Sequence, residues 1–290
     1  MSGAISPQMV SDPDLRHGDP PLLELAGVTR RFGGLPAVDD LSFTVRKGEV
    51  LGIIGPNGAG KSTVVGLIAG AVTPTSGEVR YRERNINTMP ANRRARLGIA
   101  RTFQITQPFA GLDIRENVLI GALYGRRRLR RSAAMRVADS VLDTVGLARK
   151  ATLKGDELTT ADRKRLELAR ALATGPELLL LDEVMAGLTP MEVVEAVALI
   201  REINQGGVTV VVIEHIMRAI TGVSDRVVVM HHGHKIAEGV SSRVLSDPEV
   251  IKAYLGARYA GQRVGETTQA DRVHPLEPRS AGDKIDDDGE

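Results

Sequence analysis

Val50–Ile54, read Val-Leu-Gly-Ile-Ile, runs directly into Gly55-Pro56-Asn57-Gly58-Ala59-Gly60-Lys61-Ser62-Thr63, after which an apolar stretch continues to residue 71. A strand-length aliphatic run, a loop fitting G-x-x-x-x-G-K-[ST] and the opening of a helix over 63–71 follow one another in the order a phosphate-binding loop needs. Glycines let such a loop wrap an anion, so that successive N–H groups and the helix N-terminus point at negative charge. Lys61 is placed to reach the β- and γ-phosphates of a nucleoside triphosphate, and the Ser62 hydroxyl to take one position on Mg²⁺. The plainer reading, a glycine-rich turn before a helix, is weakened by the correct flanks on both sides.

Outward from this loop, strand-like runs at 41–45, 178–181, 208–213 and 226–230 alternate with helical patterns from about residue 22 to residue 255. That alternation predicts an α/β domain with a largely parallel sheet, its nearly pure aliphatic strands covered by helices on both faces. Between about 105 and 173 the pattern turns helical, with a capped start near Asp113, and predicts a helical subdomain inserted into the sheet domain. Residues 1–20 mix Pro, Asp and Arg without an apolar segment and read as a polar tail, not a signal peptide. Residues 257–290 are charged, poor in large apolar side chains and without periodicity, so they are expected to be disordered.

Composition narrows the classes. With 42% hydrophobic residues the 290-residue chain can bury one substantial core. No stretch approaches the roughly 18–20 apolar residues of a membrane span, so a membrane role has to come through partners. The absence of Cys excludes disulfides, thiolate chemistry and Cys-based metal sites, and suits a cytosolic protein. A formal charge of +2 reflects scattered arginines and gives no reason to expect nucleic acid.

Leu178-Leu179-Leu180-Leu181-Asp182-Glu183 is an apolar strand ending in two acids, the arrangement that presents carboxylates at the C-terminal edge of a parallel sheet. Alone it is an ordinary solvated strand end. Beside the glycine loop, Asp182 is placed to hold Mg²⁺ and Glu183 to polarise an attacking water as general base. His215 follows the 208–214 run, where an imidazole can reach a γ-phosphate and help hold that water. His231, His232 and His234 superficially suggest a metal cluster, but nearby carboxylates or further histidines at ligand spacing are lacking, and they read as ordinary turn residues.

In this order of motifs the chain resembles the ATP-binding subunits of ABC transporters over about residues 21–256. The glycine loop is followed by Ile99-Ala100-Arg101-Thr102-Phe103-Gln104, by 158–173, by the Asp182-Glu183 strand, by Ala186-Gly187-Leu188-Thr189-Pro190 and by Glu214-His215. The resemblance implies an α/β P-loop fold with a mostly parallel sheet, an antiparallel β flank and an inserted helical subdomain. It makes Gln104 the residue that touches Mg²⁺ and water and relays nucleotide state, and puts Phe32 where an aromatic ring stacks on adenine, although a core role for Phe32 stays open. Arg31-Phe32-Gly33-Gly34-Leu35, Asp225-Arg226-Val227 and 247–256 are closer still to the branched-chain amino-acid uptake ATPases; relatives handling urea or short amides look similar. An importer is implied, with transmembrane permease subunits, a second ABC ATPase subunit and an indirectly engaged solute-binding protein. The chain would lie on the cytoplasmic face of the membrane.

The main departure is Leu158-Thr159-Thr160-Ala161-Asp162, where the family signature reads LSGGQ and closes on the partner's bound ATP. Thr160 and Ala161 add Cβ atoms where glycines permit close approach, and Asp162 brings negative charge. Thr159 and Asp162 also have the spacing of a helix-capping pair, with Asp162 able to turn toward backbone N–H groups. The first consequence predicts a heterodimer whose partner supplies the better signature; a regulatory ATP-binding subunit with little turnover is the alternative. Val184 and Ile216 stand where the family commonly has Pro and an acid, and neither removes a reacting group. Arg126, Arg127, Arg128, Arg130 and Arg131 read as a solvated face. A soluble ABC ATPase of DNA repair or translation would usually show two such domains or a long coiled coil.

Overall fold

The structure is a computed structural model, and it describes residues 20–102, 108–109, 111–247 and 250. The chain begins with β1 (Leu23–Phe32), β2 (Leu35–Val45), β3 (Val50–Ile54), α1 (Lys61–Ala69), β4 (Ser76–Tyr81), β5 (Arg84–Asn85), α2 (Ala91–Leu97) and β6 (Ile99–Arg101). Three helices follow, α3 (Ile114–Tyr124), α4 (Arg131–Thr144) and α5 (Thr160–Ala173). The chain then returns through β7 (Leu178–Asp182), α6 (Pro190–Gln205), β8 (Thr209–Ile213), α7 (Met217–Val223), β9 (Arg226–His231), β10 (His234–Val240) and α8 (Ser241–Val244).

Two sheets result. One has the order β10-β9-β3-β8-β7-β6, parallel except for the β10 edge, and the other is an antiparallel sheet of order β2-β1-β4-β5. In β3, β7 and β8 every residue is buried. Because side chains of a strand alternate between faces, these uniform aliphatic runs still serve two separate cores. Val50, Leu179, Leu181, Val210 and Val212 pack toward the α3–α7 side, whereas Leu51, Ile53, Leu180, Val211 and Ile213 pack against α1 and the antiparallel sheet.

The expected strand at 41–45 extends back to Leu35, because β2 also pairs with β1 at Leu35, Pro36 and Val38, beyond the Asp39-Asp40 pair that interrupts the hydrophobic pattern. The helix expected over 63–71 runs from Lys61 to Ala69 and closes at Gly70, and α5 begins at Thr160, directly after Thr159. Among the described residues, the stretch between β6 and β7 carries α3, α4 and α5. Asp113 and Glu116 cap α3 reciprocally, Glu116 N donating to Asp113 Oδ1 at 2.7 Å and Asp113 N to Glu116 Oε2 at 3.0 Å. Helices α3 and α5 approach closely at Gly121, where a Cβ would lie 2.5 Å from the Arg170 carbonyl oxygen. Among the described residues no helix is long and apolar enough to cross a membrane. The two tails expected at the ends of the chain fall outside the described residues, apart from residue 20.

Arg94 is 1% exposed, and its guanidinium donates to five main-chain carbonyls, those of Leu67, Ile68, Ile86, Asn87 and Met89, with no carboxylate partner among the described residues. Leu67 and Ile68 belong to the last turn of α1, so the cation sits at the negative end of the helix dipole. Burial pulls its pKa down to about 10, which leaves it charged at neutral pH. Arg94→Met strands these acceptors behind the phosphate-loop helix. The expected loss is about 3–5 kcal/mol, or roughly 10 °C in Tm by calorimetry, and an unchanged Tm would refute this role.

Candidate nucleotide site

In a parallel sheet all C-terminal strand ends share one edge. Here β3 delivers the glycine loop, its neighbour β8 delivers Glu214 and His215, and the next strand, β7, delivers Asp182 and Glu183. Register aligns Ile213 with both Ile53 and Asp182.

The loop needs its glycines for contact as well as conformation. Gly55 has φ 156° and a Cβ there would meet the Met230 carbonyl oxygen at 2.2 Å; Gly60 has φ 99° and a Cβ would meet that of Ala37 at 2.3 Å. Between them Asn57 and Gly58 are exposed, Pro56 is half-buried, and Ala59 is buried with its N–H donating to Pro56 O at 3.2 Å. Helix α1 starts at Gly60 with no side-chain cap and no acid in its first turn, so its leading N–H groups and dipole remain available to an anion. Ser62 is exposed at this end and Thr63 half-buried.

The Lys61 ammonium folds back over the loop, donating to Gly55 O at 2.7 Å and Pro56 O at 3.0 Å, with the residue 7% exposed. Burial lowers its pKa, and the carboxylates of Glu183 and Asp182 oppose that. Asp182 is buried, and burial raises its pKa against the attraction of Arg101, whose Nη2 lies 3.0 Å from Asp182 Oδ2. Its second oxygen, Oδ1, is buried without a hydrogen-bond partner among the described residues. A carboxylate with one satisfied oxygen and one unsatisfied oxygen, across from the Ser62 end of the loop, suits a hydrated divalent cation.

Glu183 is held at φ 52°, a left-handed conformation that costs a non-glycine residue about 1–3 kcal/mol and persists only where surroundings impose it. Its N–H donates to Ile213 O at 2.9 Å, and its own carbonyl accepts from Lys164 Nζ at 3.2 Å. Two residues on, Met185 N donates to Oε1 of Glu214 at 2.7 Å. Glu214 is fully buried, which raises its pKa against the effect of that bond. His215, next along, is exposed at the same edge. The neighbouring loop turns at Gly187, φ 76°, and α6 starts with Thr189 and Glu192 capping each other around Pro190.

Phe32 is 50% exposed at the tip of the β1–β2 hairpin, with the Arg30 guanidinium 4.6 Å from its ring centre, so the core alternative is excluded. The same hairpin brings Ala37 against Gly60, and therefore beside the phosphate loop. Gln104 lies outside the described residues; Thr102, two positions before it, is fixed to β7, its N–H donating to Leu180 O at 2.9 Å.

At the departing signature, Leu158 is buried, Thr159 and Thr160 are exposed and Ala161 is half-buried. Thr159 caps α5, accepting from Asp162 N at 3.2 Å, as its spacing predicts. The Asp162 carboxylate does not turn to backbone N–H groups, however. It accepts from the Thr159 hydroxyl at 2.9 Å and from the Lys150 ammonium. Burial alone would raise this carboxyl, but the bonds from Lys150 and Thr159 hold it below the usual range.

Sequence reasoning did not find the roles of Arg101, Lys164 and Glu214. Arg101 had a usable signal, a cation ending the strand beside Asp182. Among the described residues no group of three or more His, Cys, Asp or Glu is placed to hold a metal; the rings of His231 and His232 meet edge to face at 4.1 Å. Arg126 pairs with Glu177 at 2.8 Å, so part of the arginine run has a structural partner.

A phosphate loop and a carboxylate pair on one parallel-sheet edge, with a helical layer between β6 and β7 and an antiparallel sheet on the opposite side, define an ATPase of the ATP-binding-cassette class. The family model described as ABC transporter matches residues 38–186, and that of the branched-chain amino acid ATP-binding cassette transporter matches residues 234–260. The high-affinity branched-chain amino acid transport ATP-binding protein LivG of Salmonella typhimurium is 39% identical over 250 residues, spanning 81% of this chain and 98% of LivG. The solved ADP conformation of MJ1267, an ATP-binding cassette of an ABC transporter, superposes with TM-score 0.75 at 31% identity, over 82% of this chain and all of that one. The dimeric post-hydrolysis structure of the cassette MJ0796, bound to ADP and Pi, gives TM-score 0.68 at 25% identity, over 76% and 98% of the two chains. The chain belongs to the ABC transporter ATP-binding family.

Proposed function

We propose that this chain is the ATP-hydrolysing subunit of an importer for branched-chain or other hydrophobic amino acids. It works at the cytoplasmic face of the membrane with permease subunits and a second ABC ATPase subunit, and a solute-binding protein acts through the permease. The cassette occupies residues 21–256 between two tails. The observation that carries the reading is the strained Glu183 beside Lys61 and Asp182, in a chain that matches 98% of the length of LivG.

In this reading Phe32 stacks on adenine. Gly55, Pro56, Asn57, Gly58, Ala59, Gly60, Ser62 and Thr63 surround the phosphates, with main-chain N–H groups and the start of α1 aimed at negative charge. Lys61 exchanges its loop carbonyls for phosphate oxygens. Ser62, Asp182 and Gln104 would hold Mg²⁺, which would supply neutralisation of charge on the phosphates. Glu183 accepts a proton from water as that water's oxygen bonds to the γ-phosphorus, and the bond to the β–γ bridging oxygen breaks to leave ADP and phosphate. His215 orients the water.

The Thr159 hydroxyl hydrogen is already given to Asp162, and Thr160 and Ala161 carry side chains. A second copy of this chain would offer a poor cap for ATP, so the partner is a different ATPase whose own signature completes the site built here. Reconstituted with such a partner and permease in proteoliposomes, the chain is expected to drive ATP-dependent leucine uptake and Mg²⁺-dependent phosphate release, with little release from the chain alone. Uptake of urea in place of leucine would reassign the solute. Full turnover by the isolated chain would sink the heterodimer, and tight ATP binding with no turnover in either setting would make it a regulatory subunit.

A further inference from the structure

The left-handed Glu183 is pinned from three directions. Strand β8 fixes its N–H through the Ile213 carbonyl, and the buried Glu214 fixes the turn through Met185 N. The third restraint comes from the helical layer: Lys164, one turn into α5, donates its ammonium to the Glu183 carbonyl at 3.2 Å. This lysine is half-buried, at the wall of a mostly apolar cavity of about 370 Å³ between α5 and α6 that Val184, Leu188, Leu168 and Leu199 also line. An ammonium in such a place is drawn inward by a specific partner, because lysines otherwise keep the head group in water. Burial lowers its pKa, and the carboxylates of Glu214 and Glu183 oppose that.

We propose that Lys164 is a positioning residue that makes the aim of Glu183 depend on where α5 sits. A hydrogen bond to the carbonyl of residue 183 holds the peptide plane between 183 and 184. With the Ile213 bond holding the N–H before the Glu183 Cα and the Lys164 bond the carbonyl after it, the two fix the position of that Cα and so of the side chain it carries; the strained φ means the turn has a more relaxed state to fall into when one restraint is withdrawn. Helix α5 begins at Thr160, directly after the Thr159 cap and four residues before Lys164, so a shift of the signature segment is transmitted to the carboxylate by one rigid helical turn and one side chain. Lys164 touches no reacting atom in this scheme and binds no nucleotide. The inference rests on the reading of Glu183 as general base.

The test uses the full chain in the assembled transporter with Mg·ATP, comparing wild type with Lys164→Met, Lys164→Gln, Lys164→Arg and Glu183→Gln. Lys164→Met and Lys164→Gln, too short or too apolar to reach the carbonyl, are expected to lower kcat about 10- to 100-fold through misaligned geometry, with KM for ATP and Tm unchanged. Lys164→Arg, a long donor, restores most of kcat. Wild-type kcat in either short variant, or a raised KM at unchanged kcat, overturns the inference while leaving a dead Glu183→Gln to support the base. Turnover persisting in Glu183→Gln overturns the reading beneath it. Should Lys164→Met fail to fold, Lys164→Gln carries the comparison.

Discussion

Glu183→Gln is expected to lower ATP turnover by about 10²- to 10⁴-fold while nucleotide continues to bind. The substitution keeps shape and volume and removes the one property the chemistry needs, an anionic oxygen able to take a proton from water. The restraints on the turn run through main-chain atoms, namely Glu183 N to Ile213 O, Lys164 Nζ to Glu183 O and Met185 N to Glu214, and none of them depends on the carboxylate of residue 183. The amide should therefore occupy the same position at the same strained φ of 52°. Removing its negative charge also takes away one of the groups that raise the Lys61 pKa, so binding of the phosphates by Lys61 is not strengthened indirectly. Phosphate release measured beside fluorescent-ATP binding separates the two effects. Turnover within a few-fold of wild type would exclude Glu183 as the base and shift attention to His215.

The second large effect is on binding. Lys61→Met is expected to weaken ATP by about 10²- to 10⁴-fold, the loss of two charge-assisted hydrogen bonds of roughly 1.5–3 kcal/mol each. The ammonium is already desolvated, 7% exposed and resting on the carbonyls of Gly55 and Pro56. Much of the desolvation has thus been met before ATP arrives, and exchanging neutral carbonyls for anionic oxygens favours binding. Lys61→Arg should not rescue it, because the planar guanidinium is bulkier than the space left by a loop whose Gly55 and Gly60 already touch main-chain oxygens. Calorimetric titration gives the Kd directly, and a Kd within threefold of wild type would remove Lys61 from the phosphate site.

The site was legible where function is written locally in the chain. A strand, a glycine loop and a helix in direct succession need no distant information, and neither do an aliphatic run ending in Asp182-Glu183 or the caps at Asp113 and Thr159. Period-2 burial, in contrast, is invisible in Leu178–Asp182, where every residue is apolar until the last, so which leucine faces α1 and which faces α5 follows only from the packing of layers on both sides. The first half of β2 was hidden for a different reason: Pro36 and the Asp39-Asp40 pair break its pattern, and pairing of Leu35, Pro36 and Val38 with β1 holds it in the sheet.

Side-chain to main-chain bonds across long sequence separations were the least readable. Lys164 to Glu183, Glu214 to Met185, and Arg94 to Leu67 and Ile68 join residues 19 to 29 positions apart, and no periodicity or motif relates them. The Asp162 carboxylate shows the same limit on a smaller scale. That Thr159 caps α5 is written in the residues themselves, because capping geometry is local. That the carboxylate turns to Lys150 on a separate segment emerges only with packing, because a buried anion takes the nearest cation the fold delivers.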